Sequence, residues 1–285
     1  MSVFPKIPFL LDGATGTRLQ SMGMPATAFS VKWILDNPET ITEIQKSYVK
    51  AGSDAILAPT FGADRATIRR HGFSENVEEI CKKLVGLSRK AAGDLMVIGD
   101  IAPTGLILEP FGETTFDELC EIFSELISAL DKAGADMFAV ETQMYAGEAK
   151  AAVIAARSVS NKPTAVSFSC GPTGRSLWGD DLVQVMAELT DLGIAAFGIN
   201  CCGDLELVAD VLKELKKTAE VPLIAKPNAG IPKEEGGKFK YDMTPDMLAG
   251  YIPKLIESGA GILGACCGTD ERHIKAIKEA LSFLP

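Results

Sequence analysis

Short apolar runs recur along the chain, each ending in a polar or glycine-containing knot and followed by a stretch with helical spacing. The runs fall at 8–11, 54–58, 95–99, 137–140, 164–168, 195–199, 222–225 and 261–264. Four or five residues is the length of a buried parallel strand, too short for a core helix. Between them the spacing predicts helices over 38–51, 77–92, 115–133, 146–159, 182–192, 204–218, 244–258 and 271–283. In the first of these, Ile41, Ile44, Tyr48 and Val49 share one face. Punctuation agrees with the spacing. Gly52, Gly134, Gly193 and Gly259 stand where helices close through a left-handed residue. Thr244-Pro245 has the form of an N-cap followed by proline at the first helical position.

Eight strand–helix units predict an α/β fold, a (β/α)8 TIM barrel occupying 1–285 as a single domain. A doubly wound open sheet is the alternative. Its nucleotide-binding first turn is not matched, because Asp12-Gly-Ala-Thr-Gly-Thr17 does not fit G-x-G-x-x-G. The glycine-rich loop 228–242, with Gly230, Gly236 and Gly237, is expected to be the mobile element.

Composition narrows the function classes. A net charge of −10, from 28 basic and 38 acidic residues, argues against a nucleic-acid partner, which needs basic patches to displace counterions. No apolar run reaches the roughly 18 residues of a membrane span. Met1 to Pro8 is too short and too proline-broken for a signal peptide. The expectation is a cytoplasmic protein without a membrane partner.

Chemistry in such a barrel sits where strands end. Those positions hold Asp12, Thr60, Asp100, Glu141, Cys170, Asn200-Cys201-Cys202, Lys226 and Cys266-Cys267. Four of the seven cysteines thus form adjacent pairs on one rim, and Cys81, Cys120 and Cys170 read as core thiols. The ends of strands six and eight lie about 10 Å apart across strand seven. Inward thiols there can meet on a metal, with Cys266 and Cys267 sharing it only where the strand has broken at Gly268. Three thiolates with one exchangeable position is the composition of a catalytic zinc site. A vicinal or redox disulfide is the competing reading of the same pairs. Lys226 raises a separate alternative, a Schiff-base aldolase, against which stands a lysine paired with a rim carboxylate. His71 and His273 fall on helix or loop positions and read as non-catalytic.

Gly198-Ile-Asn-Cys201 and Gly264-Ala-Cys-Cys-Gly268 resemble the zinc motifs of the homocysteine S-methyltransferase family. The similarity continues in Leu11-Asp-Gly-Ala-Thr-Gly-Thr17, Ala58-Pro-Thr-Phe-Gly-Ala63, Gly99-Asp-Ile-Ala-Pro-Thr-Gly105, Val140-Glu-Thr142, Gly174-Arg-Ser-Leu177 and Pro227-Asn-Ala-Gly230. It is closest to the homocysteine-binding module of cobalamin-dependent methionine synthases. The resemblance implies zinc, Zn(2+), on Cys201, Cys266 and Cys267. It implies Asp12 and Glu141 at the homocysteine ammonium, backbone N–H groups from Gly13 and Ala14 onward at its carboxylate, and Thr60 and Asn200 beside them. Pro59, Ala265, Cys202 and Trp178 depart from the family pattern. The implied reaction is methyl transfer to the homocysteine thiol to form methionine. The expected donor is methylcobalamin on a corrinoid partner protein acting in trans. S-methylmethionine, S-adenosylmethionine or betaine are the other donors, and a non-catalytic zinc-binding protein is the remaining alternative.

Overall fold

Strict alternation along short strands decides which side chains enter this barrel and which face its helices. The computed structural model describes residues 3–236 and 238–283, so Gly237 of the expected mobile loop lies outside the described residues. The chain opens with β1 (Phe9–Leu10), α1 (Gly16–Ser21), α2 (Ser30–Asp36) and α3 (Pro38–Ala51). Next come β2 (Ala55–Leu57), α4 (Arg65–Arg70), α5 (Val77–Ala92), β3 (Met96–Ile101) and α6 (Phe116–Lys132). Then follow β4 (Met137–Gln143), α7 (Ala146–Val159), β5 (Thr164–Phe168), α8 (Leu182–Asp191), β6 (Ala196–Asn200) and α9 (Leu205–Lys216). After β7 (Leu223–Lys226) a hairpin of β8 (Lys233–Glu235) and β9 (Lys238–Lys240) precedes α10 (Pro245–Glu257), β10 (Ala260–Leu263) and α11 (Glu271–Ser282).

Eight strands form one parallel sheet in the order β1-β10-β7-β6-β5-β4-β3-β2. The β1–β2 seam is drawn together by mixed bonds: Asp54 N–H donates to Leu10 O at 2.6 Å, and Leu10 N–H to Asp54 Oδ2 at 2.9 Å. Higher on the same seam, Leu57 N–H donates to Asp12 Oδ2 at 2.9 Å. A single-domain (β/α)8 barrel results, as the run count predicts.

Parity does the rest. Phe9, Leu11, Ala55, Leu57, Ile98, Met137, Ala165, Ala196, Ile224 and Ile262 pack inside the barrel. Their neighbours Leu10, Ile56, Val97, Phe138, Val166, Phe197, Leu223 and Leu263 pack outward against the helices. Counting on by two from the inner set places Asp100, Glu141, Asn200 and Lys226 inward at the upper end. Asp100 and Glu141 therefore lie within β3 and β4, which run past the apolar segments at 95–99 and 137–140. The inner face turns polar while the strand continues, so hydrophobicity ends before the ladder does.

The long helices fall where the spacing puts them, α3, α5 and α7 over the same residues. Side chains cap α5, where Asn76 accepts from Glu78 N–H, and α6, where Thr115 accepts from Glu118 N–H, whereas α3 and α7 start without a side-chain cap. Helices α1, α2 and α4 are additional, six or seven residues each, too short to show a helical period. The loop 228–242 contains the β8–β9 hairpin, with exposed Lys and Glu on β8. No helix of the described residues is long and apolar enough to cross a membrane.

Candidate active site

The tail of β7 is the spacer that brings the cysteines together. Cys201 N–H donates to Lys226 O at 3.1 Å, and Cys266 N–H to Pro227 O at 2.7 Å. In return Asn228 N–H donates to Cys202 O, and Ala229 N–H to Cys267 O, both at 2.9 Å. Pro227 lacks an N–H and is asked for none, so Lys-Pro-Asn-Ala binds one cysteine segment on each side.

Local backbone then aims the thiols. Cys201 has φ of 57°, a left-handed conformation that costs a non-glycine residue of order 1–3 kcal/mol and breaks the inward–outward alternation after Asn200. Beyond β10 the chain leaves the ladder, and Gly268 turns it at φ of 82°. A Cβ there would stand 2.2 Å from Tyr241 Cγ, so both the turn and the tyrosine require glycine. The Sγ atoms of Cys201, Cys266 and Cys267 lie within 4.8 Å of one another and could hold a metal ion. Cys201 Sγ is 3.8 Å from Cys267 Sγ, and Cys266 Sγ is 4.0 Å from Cys267 Sγ. Hydrogen bonds from Cys201, Cys266 and the Tyr241 phenol push Cys267 down to about 3, overcoming burial. Cys201 is pushed up by its bonds to Cys266 and Cys267. Cys266 is likewise pushed up, to about 12, so the cluster favours one thiolate, at Cys267, at the expense of its two neighbours. Soft convergent sulfur ligands of this kind suit Zn²⁺.

Below the thiols lies a cavity of about 220 Å³, lined among others by Asp12, Gly13, Ala14, Asp100, Glu141 and Lys226. Lys226 Nζ is ion-paired with Glu141 Oε1, and both side chains are buried. Burial opposes the lysine's charge, but Glu141 and Asp12 outweigh it and raise its pKa. A buried, protonated amine is no nucleophile, which disfavours the Schiff-base reading. Burial pushes Asp12 up to about 7 against the pull of Lys226. Burial likewise raises Glu141, opposed by Lys226, and Asp100, helped by Glu141.

The other expected residues divide into those that face the cavity and those that steer them. Thr60 and Asn200 are fully buried and do not line it. Thr60 Oγ1 accepts from Asp100 N–H at 3.0 Å and donates to Asp100 O at 2.7 Å. Asn200 Nδ2 donates to Glu141 Oε1 at 3.2 Å and to Thr142 Oγ1 at 2.6 Å. Gly13 has the Tyr48 ring against it, and Tyr48 Oη donates to Ala14 O at 2.6 Å. Ala14 N–H donates to Thr269 Oγ1 at 3.1 Å and is not free for a ligand, whereas Gly13, Thr15 and Gly16 also line the cavity.

Cys202 turns away from the triad. Its Sγ meets Cys170 Sγ at 3.0 Å and accepts from Cys170 N–H at 3.1 Å, so Cys170 is more than a core filler. His71 stacks on Phe29 at 4.3 Å between centroids, and His273 forms the capping box of α11 with Asp270. Neither lines the cavity. Tyr241 was not foreseen. Its contact follows from Gly268, whose missing side chain was legible only as a strand break.

A parallel barrel with three convergent thiols over an acid-lined cavity has the layout of an enzyme that works at a barrel's carboxyl end, with a cysteine triad able to hold a metal there. Residues 9–281 match the family model described as homocysteine S-methyltransferase, and the chain belongs to that family. It is 30% identical over 291 residues to the homocysteine S-methyltransferase of Escherichia coli, covering 94% of each. It is 27% identical over 290 residues to the methionine synthase of Mycobacterium tuberculosis. There it covers 95% of this chain and 24% of that protein, about a quarter of its length. The crystal structure of the homocysteine methyltransferase MmuM from Escherichia coli, metallated form, superposes with a TM-score of 0.81 at 27% identity, covering 95% of both chains.

Proposed function

We propose that this chain is a zinc-dependent S-methyltransferase that moves a methyl group to the thiol of homocysteine, forming methionine. The observation that carries the reading is the triad of Cys201, Cys266 and Cys267 set directly over a cavity walled by Asp12 and Glu141. The three cysteines would hold Zn²⁺, and MmuM, similar over 95% of the chain, has been solved in a metallated form. Bound zinc supplies deprotonation of the acceptor thiol, which otherwise has a pKa near 8.5 and is mostly unreactive at neutral pH.

The chain's own groups supply position. Asp12 and Glu141 take the acceptor's ammonium, and Lys226, ion-paired with Glu141, opposes the rise that burial gives that carboxyl's pKa. Gly13, Thr15 and Gly16 offer backbone N–H groups to its carboxylate, a suitable cradle for a small anion. Thr60 and Asn200 act one step back by fixing the strands and acids around that ligand. Orientation of this kind converts a bimolecular attack into a nearly unimolecular one. The leaving group departs without a proton, consistent with a cavity that contains no histidine.

For the donor we favour a methylcorrinoid carried by a separate protein, that is, methylcobalamin delivered in trans. Support comes from the match to methionine synthases and from exposed apolar side chains on rim loops, Phe61, Phe111, Leu177, Trp178 and Ile231. A small sulfonium or betaine donor is the second reading, favoured by the end-to-end match to the Escherichia coli homocysteine S-methyltransferase. The test is metal analysis of the purified chain, followed by methionine formation with methylcobalamin, S-methylmethionine, S-adenosylmethionine and betaine in parallel. A folded protein that neither binds zinc nor methylates homocysteine with any donor would sink the reading. Tight zinc without turnover would instead support a binding protein. Turnover with a sulfonium alone would overturn the corrinoid donor and leave the thiol chemistry standing.

A further inference from the structure

Two buried carboxylate oxygens in the cavity lack a hydrogen-bond partner: Asp12 Oδ1 and Asp100 Oδ1. Asp12 is accounted for by the family resemblance, and Asp100 is not. Its placement is deliberate in structural terms. Thr60 Oγ1 grips the Asp100 backbone through both its N–H and its C=O, and strand parity turns the side chain inward beside Glu141. Glu141 is less free than either aspartate, because its Oε1 already receives Lys226 and Asn200. An acceptor buried without a donor is costly, and such atoms in native folds are commonly met by a ligand or water.

We propose that Asp100 is a further specificity-determining residue, a carboxyl ligand that shares the acceptor's α-ammonium with Asp12. The inference rests on the reading of the acceptor as an α-amino thiol. Three carboxyls, Asp12, Asp100 and Glu141, face the single ammonium of Lys226, and a second ammonium placed among them would favour their ionised forms against the rise that burial gives each. A metal ion is the poorer occupant. Among the described residues only the three cysteines converge closely enough to share one. A primary ammonium, by contrast, offers three N–H donors that can reach acceptors on separate strands. The site therefore selects thiols that carry a free amino group and disfavours those that lack it.

The test measures binding, by calorimetry, of L-homocysteine and of 4-mercaptobutyrate, which is the same thiol without its amino group. The zinc-loaded wild type and Asp100→Asn are compared, with Asp100→Ser as a second variant. Metal content and melting temperature confirm that each is folded. Loss of a charge-assisted hydrogen bond should weaken homocysteine by roughly tenfold to hundredfold and leave 4-mercaptobutyrate within about twofold. Equal homocysteine affinity in wild type and variants overturns the role of Asp100 alone. Equal weakening of both thiols overturns it too, since Asp100 would then only shape the cavity. A wild type that does not prefer homocysteine over 4-mercaptobutyrate removes the α-amino acceptor itself, and the proposal with it.

Discussion

Lys226 and Glu141 form an ion pair inside the barrel, on inward positions of β7 and β4, with side chains only 5% and 8% exposed. Neither strand neighbours the other in the sheet, so the pair spans the barrel's interior. It also divides the cavity's chemistry, occupying an oxygen of Glu141 while Asp12 and Asp100 each keep one without a partner.

Replacing Lys226 by Met should destabilise the fold by about 3–5 kcal/mol, because it strands a buried carboxylate near two others. Lys226→Met/Glu141→Gln should recover part of that loss, since no unpaired charge remains at position 141. Urea unfolding of the four proteins in the cycle measures it. A single variant as stable as wild type would mean that the pair is not buried as described.

Cys266→Ser should lower zinc content to well below one per chain and abolish thiol methylation with it. Hydroxyl is a poor zinc ligand beside thiolate, and the remaining Cys201 and Cys267 leave an incomplete site. Metal analysis after dialysis against a weak chelator is the measurement. Full zinc occupancy in the variant would remove Cys266 from the ligand set.

Cys202 provides the contrast. Its Sγ faces Cys170 at 3.0 Å, so Cys202→Ala should leave zinc stoichiometry unchanged. The cost should appear as stability, about 1–2 kcal/mol, from a small buried void and a lost acceptor for Cys170 N–H. A drop in zinc content comparable to that of the Cys266 variant would show that Cys202 is a ligand.

The difference between these two cysteine pairs marks how far sequence reasoning reaches. Strand count alone put Cys201 at the end of strand six and Cys266 and Cys267 at the end of strand eight, one strand apart. It could not foresee that Cys201 breaks alternation at a positive φ, which is what separates the roles of Cys201 and Cys202. Long helices were legible because α5 carries many turns of one apolar face and a capping asparagine. Helices α1, α2 and α4 complete fewer than two turns, where period has no meaning. Asp100 and Glu141 were placed at the rim because each follows directly on the end of an apolar run. Extending the inner parity by two residues would have put them within β3 and β4. Thr60 and Asn200 were expected at the ligand, yet a polar residue next to a site looks the same in sequence whether it touches ligand or positions one that does.

Asp12 should make the fold pH-dependent in an unusual direction. Its folded pKa is raised from 3.8 to about 7, first by burial, with Lys226 and Leu57 N–H opposing and Glu141 reinforcing. Asp100 faces the same cavity and adds its own charge above its raised pKa. A carboxyl whose pKa is higher folded than unfolded binds its proton more tightly in the fold. Its contribution is therefore complete below pH 3.8 and is lost as pH rises through about 7. At 1.36 kcal/mol per pH unit, that interval bounds the effect at about 4 kcal/mol. Asp12→Asn keeps an acceptor for Leu57 N–H and removes the titration. Stability of wild type relative to this variant, measured by urea unfolding from pH 4 to pH 8, should fall across the range. Binding of an ammonium ligand favours the ionised carboxylate, so saturating homocysteine should flatten the fall. A stability difference that is level with pH, with and without ligand, would show that Asp12 stays ionised in the empty site.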